Sequence, residues 1–191
     1  MKATKEGFRA GMHGSLQINP YYGKSSPQGL KYHIESCMDY GPAIIYNVPS
    51  RTAQDITQDI VYDLAKHENF AGMKECTGHE RIKEYSDAGI LCWSGNDDEA
   101  HDSRWYHGGH GVISVTSNVL PAVMRRLMDT EDPELAAKTL PFMNWLFDEP
   151  NPIALNTITA MTGMSHPVFR APYWPYSKEK REKGVELLQA F

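Results

Sequence analysis

Short apolar runs alternate with amphipathic helical segments between residues 11 and 128, and no other feature constrains the fold as strongly. The runs are Gly11–Ile18, Ala43–Val48, the stretch from Phe70 to Glu75, Ile90–Gly95 and Gly111–Val115. Each is bounded by turn-forming residues such as Asn19-Pro20 or Pro49, as buried strands are. Strand–helix alternation implies parallel strands joined by crossover helices, and near-continuous apolar strands imply a sheet covered on both faces. Between the runs, Ser26 caps a helix that starts at Pro27, buries Leu30, Ile34 and Met38, and stops at Gly41-Pro42. Thr57 opens another with Ile60, Val61, Leu64 and Ala65 inward, and His79–Ala88, Asp97–His107 and Asn118–Met128 complete the series. Pro121 falls early enough in the last to be tolerated.

After Asp132 helix follows helix: Pro133–Phe147, Ile153–Met161 and Ser177–Ala190, with Pro167–Pro175 as an extended bridge. We therefore divide the chain into 1–131 and 132–191. Met1–Met12 reads as the back half of an amphipathic helix running into a strand, without signal- or transit-peptide character, so the chain is expected to begin partway through a fold. An open doubly wound sheet and a (β/α)8 barrel both fit the alternation. No glycine-rich phosphate fingerprint follows the first strand, which weighs against nucleotide binding. Tyr22, Tyr46, Arg51, Lys74 and Asn96 instead lie just past the ends of different strands, as barrel active-site residues do. The expected fold is α/β, a partial (β/α)8 barrel with a C-terminal three-helix extension.

A net charge of -5 and a pI near 5.9 argue against a nucleic-acid or anionic-membrane partner, and no apolar run reaches membrane-spanning length. Cys37, Cys76 and Cys92 are odd in number and lack metal-type spacing, which suggests free thiols in a reducing compartment. His107 and His110 sit in a glycine-rich helix end with no ligand set beside them, Asp97-Asp98-Glu99 complements a helix dipole, and Lys178–Lys183 is a solvated face of interleaved charge. The chemical candidate is Lys74, at the exit of a buried strand. Burial disfavours the ammonium form, and a neutral amine is what attack on a ketone requires.

Asn19-Pro-Tyr-Tyr-Gly, Tyr46-Asn-Val-Pro-Ser-Arg-Thr52, Gly72-Met-Lys-Glu75, Trp93-Ser-Gly-Asn-Asp-Asp98, Gly109-His-Gly-Val-Ile-Ser-Val115 and Glu149-Pro-Asn-Pro-Ile153 occur in that order. Together they resemble the dihydrodipicolinate synthase family of pyruvate-dependent class I aldolases. Gly78-His-Glu-Arg81 and Asp97–Trp105 are similar to its plant and algal branch. The resemblance implies condensation of pyruvate with aspartate semialdehyde in lysine biosynthesis. It assigns the pyruvyl imine to Lys74, proton relay to Tyr46 and Tyr22, the second substrate's carboxylate to Arg51 and a pyruvate-pocket position to Ile113. Tyr22 would act across a dimer interface, and Tyr21 would belong to an inhibitory lysine site there. No metal or organic cofactor is implied, a homo-oligomer is, and the plant-like segments imply the chloroplast stroma. Against an eight-stranded family barrel this chain supplies five strands, so the first three strands and the Gly-Thr-Thr-Gly-Glu relay segment are expected to be missing, and activity alone to be low or absent. Two alternatives stay open: a sister aldolase using another aldehyde, and a non-catalytic fragment that joins full-length subunits.

Overall fold

Five strands form one sheet: β1 (Ser15–Ile18), β2 (Ala43–Asn47), β3 (Phe70–Glu75), β4 (Cys92–Ser94) and β5 (Gly111–Val112). In this computed structural model, which describes residues 1–191, they lie side by side in chain order, and every neighbouring pair is parallel. A doubly wound sheet reverses its strand order at a switch point. This one never does, which is the order of a barrel.

The crossovers are helical: α1 (Lys2–Arg9) precedes β1, α2 (Pro27–Met38) follows it, α3 (Pro49–Thr52) and α4 (Gln58–Leu64) follow β2, α5 (His79–Asp87) follows β3 and α6 (Ala100–Tyr106) follows β4. Pro27 opens α2 and the Ser26 hydroxyl accepts the Gly29 N–H at 3.2 Å, so the cap closes as its residues dictate. Leu30, Ile34 and Met38 of α2, Ile60, Val61 and Leu64 of α4, and Ile82 and Tyr85 of α5 pack on Ala43, Ile45, Met73 and Cys92 of the sheet. Each fully buried aliphatic side chain here contributes roughly 1.5–3 kcal/mol.

Several boundaries differ from expectation. β1 starts at Ser15 because Gly11, with φ +95°, ends α1 instead of beginning the strand. β4 starts at Cys92: Ile90 packs into the helix-side core, and Leu91 keeps only its carbonyl on the ladder, accepting the Met73 N–H at 2.8 Å. β5 ends at Val112, since after Ile113 the chain turns into a 3₁₀ segment at Thr116–Asn118. The next helix, α7 (Pro121–Asp129), begins with Pro121 at its first position, where the missing N–H costs nothing. α3 was unanticipated and has the same cause, a proline at its first position.

The chain forms two compact units, Met1–Ile113 and Ser114–Phe191, so α7 lies in the second. That unit continues with α8 (Pro133–Phe147), α9 (Ile153–Met161) and α10 (Lys178–Leu188). Its core is Phe142, Trp145 and Leu146 of α8, Ile153, Ala154 and Ile158 of α9, and Tyr176. The Trp145 indole donates to the Lys180 carbonyl at 2.8 Å, and the Tyr176 hydroxyl donates to the Trp145 carbonyl at 3.0 Å. No helix is long and apolar enough to cross a membrane.

Candidate active site

Parallel register decides which side chains share a face. Ile18 pairs with Tyr46, Tyr46 with Lys74, Lys74 with Trp93 and Trp93 with Gly111, so one residue from each strand lies in a single row. Successive residues of a strand point to opposite faces. Asn47, Glu75 and Ser94, one position on, therefore face the helix layer and are fully buried. Tyr46 and Lys74 stand on the other, inner face.

Lys74 is 9% exposed, and its Nζ lies 4.2 Å from the centre of the Tyr46 ring. Cys76, two residues on and so on the same face, places its Sγ 4.0 Å from the Tyr46 hydroxyl. Gly95 makes this crowding possible: a Cβ there would lie 2.2 Å from the Cys76 Sγ and 2.9 Å from Lys74 Cε. Arg51, on the single turn of α3, is close enough that its charge bears on Tyr46, Lys74 and Cys76.

The electrostatics favour a nucleophilic amine. Burial lowers the Lys74 pKa from its ordinary 10.5, and the Arg51 charge adds to this, while Cys76 and Asp97 oppose it. Burial raises the Tyr46 phenol well above the usual tyrosine range, with Cys76 adding and Arg51 opposing, so Tyr46 stays protonated and able to donate. The Cys76 thiol is pushed up to about 11, mainly by burial, and is a neutral neighbour at physiological pH.

The structure thus brings together Lys74 and Tyr46 of the expected set, with Arg51 exposed on α3 within electrostatic range of both. Tyr21 and Tyr22 stand on the loop after β1, 71% and 101% exposed, with Tyr22 at φ +72°. Ile113 donates its N–H to the Ser94 carbonyl at 3.0 Å and helps line an apolar cavity of about 330 Å³ with Leu16, Ile44 and Ala71. Asn96 donates to the Glu99 carboxylate at 3.0 Å, and no cluster of three or more metal-ligating side chains is present. His107 stacks on His79 at 4.4 Å, and His110 accepts the Cys92 N–H at 3.3 Å. Sequence reasoning missed the groups behind the row, Asn47, Asp55, Glu75 and Arg81. The available signal was the alternation itself, because a carboxylate next to an inward lysine must enter the helix-packed layer.

The whole chain, residues 1–191, matches the profile of the dihydrodipicolinate synthetase family. The chain belongs to that family. Among its relatives, the chloroplastic 4-hydroxy-tetrahydrodipicolinate synthase of Coix lacryma-jobi is 56% identical over 98% of this chain and 50% of its own length. Synthase 1 of Arabidopsis thaliana is 53% identical over 98% of this chain and 52% of its own. The chain thus spans about half the length of these relatives. The solved dihydrodipicolinate synthase of Acinetobacter baumannii, complexed with pyruvate, superposes with a TM-score of 0.90 at 30% identity, over 99% of this chain and 69% of that one. The open five-stranded sheet is accordingly a portion of the dihydrodipicolinate synthase barrel.

Proposed function

We propose that this chain carries the imine-forming site of a 4-hydroxy-tetrahydrodipicolinate synthase, which condenses pyruvate with L-aspartate 4-semialdehyde on the way to lysine. The observation that carries this reading is the Lys74 amine, nearly buried at a strand end and 4.2 Å from the Tyr46 ring. A neutral Lys74 amine adds to the pyruvate ketone carbon, and the carbinolamine loses water to give the imine. Loss of a methyl proton leaves an enamine, whose carbon attacks the aldehyde while the aldehyde oxygen takes up a proton. The Tyr46 phenol is placed to donate and accept these protons. Arg51 offers a planar guanidinium for the second substrate's carboxylate. The protonated imine is itself the electron sink, so the reading calls for no metal or organic cofactor.

Within the same proposal Ile113 borders the pyruvate pocket through its backbone, Tyr22 completes the proton relay of a neighbouring subunit in a homo-oligomer, and Tyr21 belongs to a lysine-sensing site at that contact. The exposure of both tyrosines is compatible with burial by a second copy. The chloroplastic relatives support a plastid stroma as the compartment. The unpaired edges of the sheet favour a second reading, a non-catalytic piece that associates with longer subunits.

Incubation with pyruvate and borohydride tests the first reading. The protein is expected to gain the mass of one reduced pyruvyl adduct, and Lys74→Ala to gain none. An adduct that persists in Lys74→Ala excludes Lys74 as the carrier. Turnover of the semialdehyde against a sugar aldehyde separates the synthase from a sister aldolase.

A further inference from the structure

Behind the row of inner-face residues lies a buried polar cluster that the condensation does not use. The Glu75 carboxylate is fully buried and accepts the N–H groups of Cys76 and Thr77 at 2.8 and 2.9 Å. It also accepts the Asn47 amide, at 3.0 and 3.1 Å to its two oxygens. Asn47, equally buried, donates to Asp55 at 2.7 Å and accepts the Ile56 N–H at 3.0 Å. Arg81 of α5 closes the cluster from outside, bonding Asp55 at 3.2 Å and the Ile56 carbonyl at 3.3 Å. Burying a carboxylate is costly, and an apolar residue of similar volume in this layer would commonly leave the fold as stable or more so.

What the cluster joins is informative. Asn47 follows Tyr46, Glu75 follows Lys74, and Asp55 lies just beyond α3, which carries Arg51, across the left-handed Ala53. The three chain segments that carry Tyr46, Lys74 and Arg51 are tied together at one carboxylate and one amide. Because neighbouring strand residues face opposite ways, Asn47 and Glu75 point away from the face that carries Tyr46 and Lys74. We propose that Glu75 and Asn47 are positioning residues: they lock the ends of β2 and β3 and the loop after α3 in one arrangement, so that Lys74, Tyr46 and Arg51 converge. The reactive outcome of that convergence rests on the imine chemistry proposed above.

Glu75→Gln tests this with little change in volume. With its oxygen toward the two backbone N–H groups the new amide keeps them, but its NH2 then replaces the second oxygen and sets a donor against the Asn47 amide. Turned the other way it faces both backbone N–H groups with a donor, so in either orientation the lock is weakened. Two readouts are needed. One is the rate of borohydride-trapped pyruvate adduct at saturating pyruvate across pH. The other is iodoacetamide labelling of Cys76 relative to Cys37, whose 1% exposure makes it a reporter of global unfolding.

In Glu75→Gln, Cys76 labels several-fold faster while Cys37 stays protected, and adduct formation falls by about 10–100-fold. The pH midpoint of adduct formation rises by roughly one unit as Lys74 regains water, an effect a purely structural role would not produce. Cys76, Asp97, Arg51 and Tyr46 still face the amine there. Arg81→Gln, at a residue that hydrogen-bonds the cluster at Asp55 and Ile56 and otherwise reaches Glu75 through its charge, shifts all three in the same direction but less. An unchanged rate, midpoint and Cys76 reactivity in Glu75→Gln with Cys37 protected overturns the proposal. If Cys37 becomes reactive in that variant, Arg81→Gln decides by the same criteria. Should the unsubstituted chain form no adduct, the functional reading fails, and the labelling comparison alone upholds or overturns the lock.

Discussion

At the residue scale the tightest constraint on the proposed nucleophile is an absent side chain. A methyl group on Gly95 would overlap the Cys76 Sγ and press on Lys74 Cε, with the Glu75 carbonyl 3.3 Å away on the remaining side. Overpacking of this kind costs about 1–3 kcal/mol. Gly95→Ala is therefore expected to lower the melting temperature and to suppress the trapped pyruvate adduct. Adding Cys76→Ala removes the clashing sulfur and should restore both in part, and a double variant no better than Gly95→Ala contradicts the geometry. Lys74 makes a second prediction. Its folded pKa lies below its unfolded value, so the folded protein binds fewer protons, and the penalty is full below the folded pKa and relieved as pH rises toward 10.5. Lys74→Met, which removes the buried ammonium at similar volume, should melt higher near neutral pH, with the advantage shrinking as pH rises. Lys74 and Tyr46 were legible because each ends an apolar run. Glu75 was not, because a carboxylate after a lysine reads as an ordinary polar strand exit, and its partner Asn47 is a strand away in the fold.

At the scale of elements, propensity and packing can be set against each other. Gly184 lies inside α10, where replacing glycine by alanine ordinarily stabilises by about 1 kcal/mol. Here the added Cβ would sit 2.3 Å from the Trp145 ring, whose position is fixed by its bond to the Lys180 carbonyl and by the edge of Tyr176. A rigid ring cannot give way as a flexible chain end can. Gly184→Ala is thus expected to destabilise by about 1–3 kcal/mol in denaturant titration, and a stabilised variant would show that packing here is looser than the distances imply. The same competition explains what the sequence revealed of the elements. α2 and α8 were placed well because cap, proline and apolar stripe agree within each. β4 and β5 were drawn too long because apolar residues flank the paired ones: Ile90, before β4, is buried by helices, and Ile113, after β5, lines a cavity. Hydrophobic pattern records burial, and burial does not require a strand.

For the molecule as a whole, the decisive fact is that five parallel strands leave β1 and β5 each unpaired on one side. An eight-stranded barrel has no edges, and its inner face is filled by layers of side chains. In this sheet the helix-facing layer is packed to zero exposure at Ala43, Ile45, Met73 and Cys92, whereas Leu16 on the edge strand β1 is 45% exposed. Exposed backbone donors beside an exposed leucine are the combination that recruits another chain. The isolated 191-residue chain should therefore self-associate with rising concentration, measurable as an increase in scattering mass during size-exclusion chromatography. Leu16 is the informative position, because it lies on the edge strand and borders the cavity of Ile44, Ala71 and Ile113. A lysine on an edge strand opposes strand addition, so Leu16→Lys should shift the distribution toward monomer without altering the helix-side core. A chain that stays monomeric at every concentration, or a variant that associates as strongly as the parent, would mean that the open edges and the inner face do not govern its assembly.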